Sequence, residues 1–194
     1  TLALLAASCQ TKEDATKAPI TKPEITIEGG RLTPEALWAM GRINSVHPDE
    51  QSGLIAYTVS YYSIEENRST SWIRVAQEED GKLVTINEFV GHSPAWHNGQ
   101  LCYINGDGQV VIGDKVLTGF DKDIEGFLLS PQGDKIILIT QVKTVASTAD
   151  KHPDLPLASG RVVDDLMYKH WDEWTETAPH PFVCGLKTEN GKVK

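Results

Sequence analysis

Short runs in which apolar and polar positions alternate recur along the middle of the chain, and this pattern is typical of β-strands. The runs are rich in β-branched and aromatic residues, and Gly, Asn and Asp separate them as they do in turns. Six runs are predicted as strands: 54–62, 70–77, 82–90, 100–105, 109–114 and 135–145. The pattern therefore predicts an all-β fold.

A repeat organises these strands. Around Pro48, Pro94 and Pro131, a proline is followed by a polar turn with glycine and then by an apolar strand. The repeats are roughly 40 residues long, which is the length of a four-stranded β-propeller blade. We expect two to three blades of four-stranded antiparallel sheet, covering residues 31–194. Because so few blades do not close a ring, the sequence predicts that this is the N-terminal part of a longer propeller.

One helix is predicted before the first repeat. Thr33 is suited to the N-cap, Pro34 to the first helical position and Gly41 to the position after the end.

The first residues have the features of an export signal. Leu2 to Ala7 is apolar and leads through small residues to Cys9, which resembles a bacterial lipobox. We interpret residues 1–9 as a truncated lipoprotein signal peptide with lipidation at Cys9, and residues 10–30 as a flexible tether. The expected location is the periplasm or the outer-membrane surface of a Gram-negative bacterium, with a lipid anchor in the membrane. An ordinary signal peptide with an incidental Cys9 is the alternative.

Composition narrows the set of partners. The formal net charge of −9 repels phosphate backbones, so no nucleic acid partner is predicted. The six histidines are scattered without metal-ligand spacing, and Asp121, Asp123 and Glu125 lack the pattern of a calcium loop. We predict no metal and no cofactor. Cys102 and Cys184 lie in alternating apolar runs and are interpreted as buried free thiols, with a disulfide as the alternative.

An aromatic and acidic stretch, 164–174, stands out near the end of the chain. Leu166, His170 and Trp174 share one helical face, and Pro179 would end the helix before a strand starting at His180. A helical insertion near 164–176 is therefore predicted.

Two stretches carry a resemblance to a known family. Residues 31–69, with LTPEALWAMGRI, and residues 164–183, with DDLMYKHWDEWTETAPHPFV, resemble bacterial members of the prolyl oligopeptidase family related to dipeptidyl peptidase V, and the resemblance covers roughly residues 31–194. The resemblance implies an N-terminal propeller and a C-terminal α/β-hydrolase domain with a Ser, Asp and His triad. The latter domain is absent from this chain, which has no G-x-S-x-G elbow, so no catalytic residue is predicted here. His92 and Ser93 are adjacent, and sequence neighbours rarely form a catalytic dyad.

The resemblance also implies a substrate site. Dipeptidyl peptidases pair a propeller carboxylate with the free amine of the peptide, and Asp172 and Glu173, beside Trp171 and Tyr168, are the candidates for this role. The alternative is that the aromatic residues only pack the helix onto the propeller. Expected partners are peptide substrates and the protein's own hydrolase domain, and a homodimer is left open.

Two rival functions remain at this stage. One is a lipid-anchored, non-catalytic propeller similar to TolB-type modules that binds protein or glycan. The other is an oligopeptidase or acylaminoacyl peptidase of the same family, which needs no carboxylate for the substrate amine.

Overall fold

A computed structural model describes residues 17–120, 122–158, 160, 176–189 and 192–193. Cys9, the predicted signal peptide and the predicted helix of the 164–176 insertion lie outside these described residues, so those three predictions stay predictions.

Strands dominate the described residues. The two short helices are α1 (Pro34–Ala39) and α2 (Thr148–Lys151), and a 3-10 turn covers Glu28–Gly30. The strands are β1 (Arg42–Pro48), β2 (Ile55–Ser63), β3 (Arg68–Glu79), β4 (Lys82–His97), β5 (Gln100–Asn105), β6 (Val110–Ile112), β7 (Lys115–Val116), β8 (Gly126–Leu129), β9 (Lys135–Lys143), β10 (Thr177–Gly185), β11 (Thr188–Glu189) and β12 (Lys192–Val193).

The helix near the start of the chain forms where the sequence predicts it. The Thr33 hydroxyl oxygen accepts a hydrogen bond from the Ala36 amide at 3.2 Å, and Pro34 takes the first helical turn. Gly41 follows the C-cap residue Met40, as predicted, and it also has a packing role. A Cβ atom there would lie 2.7 Å from Tyr61 Cε1, so glycine allows the chain to pass close to this ring.

Strand pairing groups the described strands into a continuous run, β1 to β7, that we treat as two sheets joined through β4, a third sheet, and a short hairpin of β11 and β12. β1, β2, β3 and residues 82–90 of β4 form the first sheet, while residues 91–97 of β4 pair with β5, which continues through β6 and β7 as the second sheet. The third sheet has the order β10-β9-β8. The all-β, partial-propeller prediction is confirmed, with three strands rather than four in the described third sheet.

Proline positions explain two errors in the predicted strand limits. Pro94 lies inside β4, where the register shifts between His92 and Ala95, and the turn that follows is at Asn98 and Gly99. Proline is tolerated there because a bulge leaves a backbone group unpaired.

The second error concerns the strand after the insertion. β10 begins at Thr177, and Pro179 lies opposite Gln141 inside the strand rather than before it. β10 is an edge strand of the described third sheet, which is where a sheet can accommodate proline.

The turns of the three repeats lie side by side at one end of the sheets, here called the turn end. The Trp96 indole donates to the His47 carbonyl at 2.9 Å, and the Gln51 side chain lies near Gly99. His97 packs directly over Gly133 in the third repeat turn. Because β2, β5 and β9 all start at these turns, the connections 64–67 and 106–109, and residues 144 and 176 at the base of the third connection, lie at the opposite end.

The core lies between the second and third sheets. Its fully buried side chains are Ile104, Val110, Ile124, Ile136 and Leu138. The first and second sheets meet through Phe89 and Tyr103, whose ring centroids are 4.6 Å apart. Sheet-on-sheet burial of this kind supplies the main stabilisation of stacked blades.

Cys102 is fully buried in this core, and Cys184 is half-buried. Both thiols are free, so the disulfide alternative is not realised in the structure. Burial raises the pKa of the Cys102 thiol to about 12, because the core cannot solvate a thiolate.

We expect Gly133→Ala to destabilise the protein more than Gly53→Ala. Both glycines have a left-handed backbone, with φ of 68° and 71°, so each alanine costs about 1–2 kcal/mol in backbone strain. Only at Gly133 would the new Cβ atom meet His97 Nε2, at 2.1 Å. Urea unfolding should show the larger loss for Gly133→Ala, and equal losses would contradict the packing of His97 on this turn.

Burial of the Cys102 thiol should make the free energy of unfolding depend on pH. Its folded pKa of about 12 exceeds the ordinary value of 9.0, so its contribution to stability is complete below about pH 9 and is lost as the pH rises towards 12. The free energy of unfolding should therefore fall less steeply above pH 9 in Cys102→Ala than in the parent protein. Parallel pH profiles of the two proteins would show that Cys102 is not shielded from solvent.

Candidate functional site

A cleft of about 770 Å³ opens at the end of the first sheet opposite the turn end. Its walls are the extended segment 17–25, here called the strap, together with helix α1 and the β2–β3 turn. We call this end of the sheets the cleft end.

The strap is held against β3 by three side chains. The Ile20 amide donates to Thr70 Oγ1 at 2.9 Å, and the Trp72 indole donates to the Ile20 carbonyl at 2.7 Å. Arg68 Nη2 donates to the Ala18 carbonyl at 2.5 Å. Ile20 is 9% exposed and packs on Val59, Tyr61 and Trp72. Part of the stretch predicted as a tether thus lies packed on the first sheet.

An aromatic pair forms the wall on the α1 side. The Trp38 and Tyr62 ring centroids are 5.4 Å apart in an edge-to-face arrangement. The Arg42 guanidinium lies 4.7 Å from each ring centroid, within the range of a cation–π interaction. This stacking fixes α1 on the first sheet and orients Trp38 at the cleft.

The charged groups of the cleft differ in whether they are paired. Arg68 forms an ion pair with Glu66 at 2.7 Å, and Lys17 is also engaged. Glu35 and Glu65 also line the cleft, and no side-chain hydrogen bond or ion pair joins either carboxylate to another described residue. Chemically, the cleft can accept an apolar or aromatic group together with a basic one.

The insertion between β9 and β10 is closed at its base. The amides of Thr144 and Val145 donate to the Glu176 carbonyl at 2.8 and 3.2 Å. Beside them, helix α2 starts with a capping box of Ser147 and Asp150. Hydrogen bonds from Lys143 and Ser147 hold the Asp150 pKa at about 2. The insertion therefore leaves and re-enters the third sheet at a defined point of the cleft end.

The predicted substrate residues are carried by this insertion. Tyr168, Trp171, Asp172 and Glu173 lie outside the described residues, as does the lipidation candidate Cys9. Their assignments stay predictions, and only the anchoring points of the insertion are defined structurally.

His92 and Ser93, which were not expected to interact, do form a hydrogen bond. Nδ1 and Oγ are 3.0 Å apart, and Ser93 has a left-handed backbone with φ of 54° at the bulge of β4. Burial lowers the pKa of His92, which favours the neutral ring. Within the described residues no carboxylate orients the imidazole, so the pair lacks the third member of a triad.

Metal-ligating clusters are not found in the described part of the chain. Of the acidic residues compared with a calcium loop, Glu125 accepts hydrogen bonds from the Gln141 side chain, and the Asp123 backbone carbonyl accepts one from the Thr140 hydroxyl. Asp121 lies outside the described residues. A search of the described helices finds none with the length and apolar character needed to cross a membrane.

Comparison with known proteins gives sequence relatives of one kind. The chain is 35% identical over 174 residues to dipeptidyl-peptidase 5 of Porphyromonas endodontalis, a match covering 83% of the chain and 25% of the relative. It is 32% identical over 180 residues to dipeptidyl-peptidase 5 of Porphyromonas gingivalis, covering 86% of the chain and 26% of that protein. No family model matches the chain.

The fold comparison agrees with the sequence comparison. The crystal structure of Pyrococcus horikoshii acylaminoacyl peptidase aligns with a TM-score of 0.54 and 13% identity, over 81% of this chain and 25% of that one. The chain is similar in sequence to these dipeptidyl-peptidases and in fold to the acylaminoacyl peptidase, and these likenesses support a propeller fragment of a peptidase. It spans about a quarter of the length of the curated relatives it matches.

The cleft contains residues that the sequence did not single out. Trp38 was interpreted only as part of a helix, and Tyr62 only as part of a strand. Arg42 contacts both rings because α1 packs on β2, and the sequence has no local signal for that packing. The alternation within β2 does show that Tyr61 and Tyr62 face opposite sides.

We expect Ile20→Ala to release the strap. Removing a buried isoleucine side chain costs about 2 kcal/mol or more, so hydrogen exchange at the strap amides should accelerate by roughly 30-fold. Ile27→Ala is the matched control because Ile27 is 44% exposed. Unchanged exchange in Ile20→Ala would show that the strap does not depend on this contact.

Proposed function

We propose that the chain is the N-terminal propeller portion of an exported serine peptidase that releases dipeptides from free N-termini. The observation that carries the proposal is the 35% identity to a dipeptidyl-peptidase 5 over 83% of the chain. In this proposal a hydrolase domain of the same protein supplies the serine nucleophile, and the propeller gates access and contributes to peptide binding.

The base of the insertion is the structural observation that supports the proposed role in substrate recognition. The insertion that carries Asp172 and Glu173 is clamped at residues 144 and 176, at the cleft end of the third sheet. A carboxylate held there would pair with the ammonium group of a peptide, and the peptide length beyond that point would be set by the distance to the nucleophile. Trp171 and Tyr168 would supply apolar contacts beside it.

Export and anchoring are part of the proposal. Acylation of Cys9 would attach the protein to a membrane facing the periplasm or the cell surface, where peptides from extracellular proteins are available. The sequence before Lys17 is the support for this step.

We expect the carboxylates of the insertion to raise kcat/KM only for substrates with a free amine. In the intact gene product, Glu173→Gln or Asp172→Asn should lower kcat/KM for a free-amine dipeptidyl chromogenic substrate by about 10–100-fold, because a charged hydrogen bond is lost. Hydrolysis of the N-acetylated substrate should be unchanged, and Glu50→Gln in a turn-end loop is the matched control.

The other outcomes distinguish the rival functions. Efficient hydrolysis of N-acylated peptides, unaffected by either substitution, would favour an acylaminoacyl or oligopeptidase activity. An intact protein that neither hydrolyses peptides nor reacts with a fluorophosphonate probe would overturn the peptidase proposal in favour of a non-catalytic, TolB-like binding propeller.

A further inference from the structure

The directions of the strands show at which end the chain leaves each sheet. In the first sheet, β1 runs from the cleft end to the turn end, and after β2 and β3 residues 82–90 of β4 return to the cleft end. The second sheet repeats this course from residues 91–97 of β4 to β7. Because such a sheet begins and ends on the same side, a ring built from these sheets would release the following chain at the cleft end.

Helix α1 lies at this end, immediately before β1, and its sides differ in their surroundings. Ala36 and Ala39 are 4% and 8% exposed and form the buried side. Trp38 lines the cleft. Leu37 and Met40 are three residues apart, so they share one side of the helix, and they are 48% and 44% exposed. We call this side, formed by Leu37 and Met40, the outer side of α1.

The position of the outer side distinguishes it from the exposed apolar residues of the sheets. Leu128 and Val183 lie on the face of the third sheet that is turned away from the core, where an adjacent blade would cover them. Leu37 and Met40 belong to no sheet, so the stacking of blades does not account for their exposure.

The outer side is held in a fixed orientation. Trp38 packs edge-to-face on Tyr62, and the Arg42 guanidinium lies 4.7 Å from the centroid of each ring. This contact joins the helix to the first sheet, so Leu37 and Met40 form a surface that is already in place before a partner binds. Such a surface loses less conformational entropy on binding than a flexible one does.

We propose that the outer side of α1 is a contact surface for the hydrolase domain of the same protein. This inference rests on the proposed function, which supplies that domain after the ring. The base of the insertion, at Thr144 and Glu176, lies at the same end of the sheets. A hydrolase domain that contacts α1 therefore also lies on the side from which the insertion projects. Contacts between domains of one chain bury about 600–1,500 Å², of which α1 supplies one part.

Photo-cross-linking in the intact gene product tests the contact. Benzoylphenylalanine replaces Leu37 in one variant and Leu83 in another. Leu83 is the matched control because it is an apolar residue, 61% exposed, in the β3–β4 hairpin at the turn end. After irradiation and digestion, mass spectrometry identifies the linked peptides. Position 37 should link to peptides of the hydrolase domain, whereas position 83 should not.

A charge on the outer side should weaken the contact. Met40→Glu should lower the yield of the cross-link from position 37 by about five-fold or more, because burying a carboxylate in an apolar contact is unfavourable. Lys82→Glu, in the hairpin at the turn end, should leave that yield unchanged. Labelling of each variant with a fluorophosphonate probe verifies that the hydrolase domain is folded.

The outcomes separate this inference from the proposed function. If the probe labels the protein but position 37 forms no link to the hydrolase domain, or links only to a second copy of the protein, the docking surface is wrong and the peptidase proposal stands. Equal links to the hydrolase domain from positions 37 and 83 would also overturn the docking surface. An intact protein that the probe does not label would overturn the proposed function, and this inference with it.

Discussion

Packing of one sheet against the next is the interaction on which the rest of this structure depends. The third sheet shows why. One of its faces places Ile136 and Leu138 in the core against the second sheet, while the other presents Leu128 and Val183, which are 62% and 68% exposed. A sheet with apolar side chains on both faces is stable only between neighbours. The order of the sheets therefore decides where every connection, and hence the cleft and the insertion, can lie.

The sequence predicted the parts of the fold that follow local rules. The proline and glycine turns predicted the three repeat hairpins, and Thr33 with Pro34 predicted the start of α1, because turns and caps depend on a few adjacent residues. Strand limits were less accurate at Pro94 and Pro179. A bulge and an edge strand both tolerate proline, and neither can be recognised without knowledge of the pairing partner.

The cleft could not be predicted for a different reason. Its residues come from the strap, α1 and the β2–β3 turn, and the contacts that join them are set by tertiary packing. The strap illustrates this: in a stretch rich in Lys, Thr and Pro, the single buried Ile20 has no periodic partners that would indicate a docked segment. Composition predicted an insertion, whereas the position of its base, Thr144 and Glu176, at the cleft end follows only from the row of repeat turns at the other end.

Strand β4 has a consequence for how the molecule responds to mechanical load and to unfolding. A single run of backbone from Lys82 to His97 pairs with β3 in one sheet and with β5 in the next. Rupture of the first sheet from its β1 side would therefore transmit force directly into the second sheet, since no loop lies between them to absorb extension. The first two sheets should behave as one cooperative unit through continuous backbone, whereas the third sheet is held to them by the shared core of Ile136 and Leu138 with the second sheet.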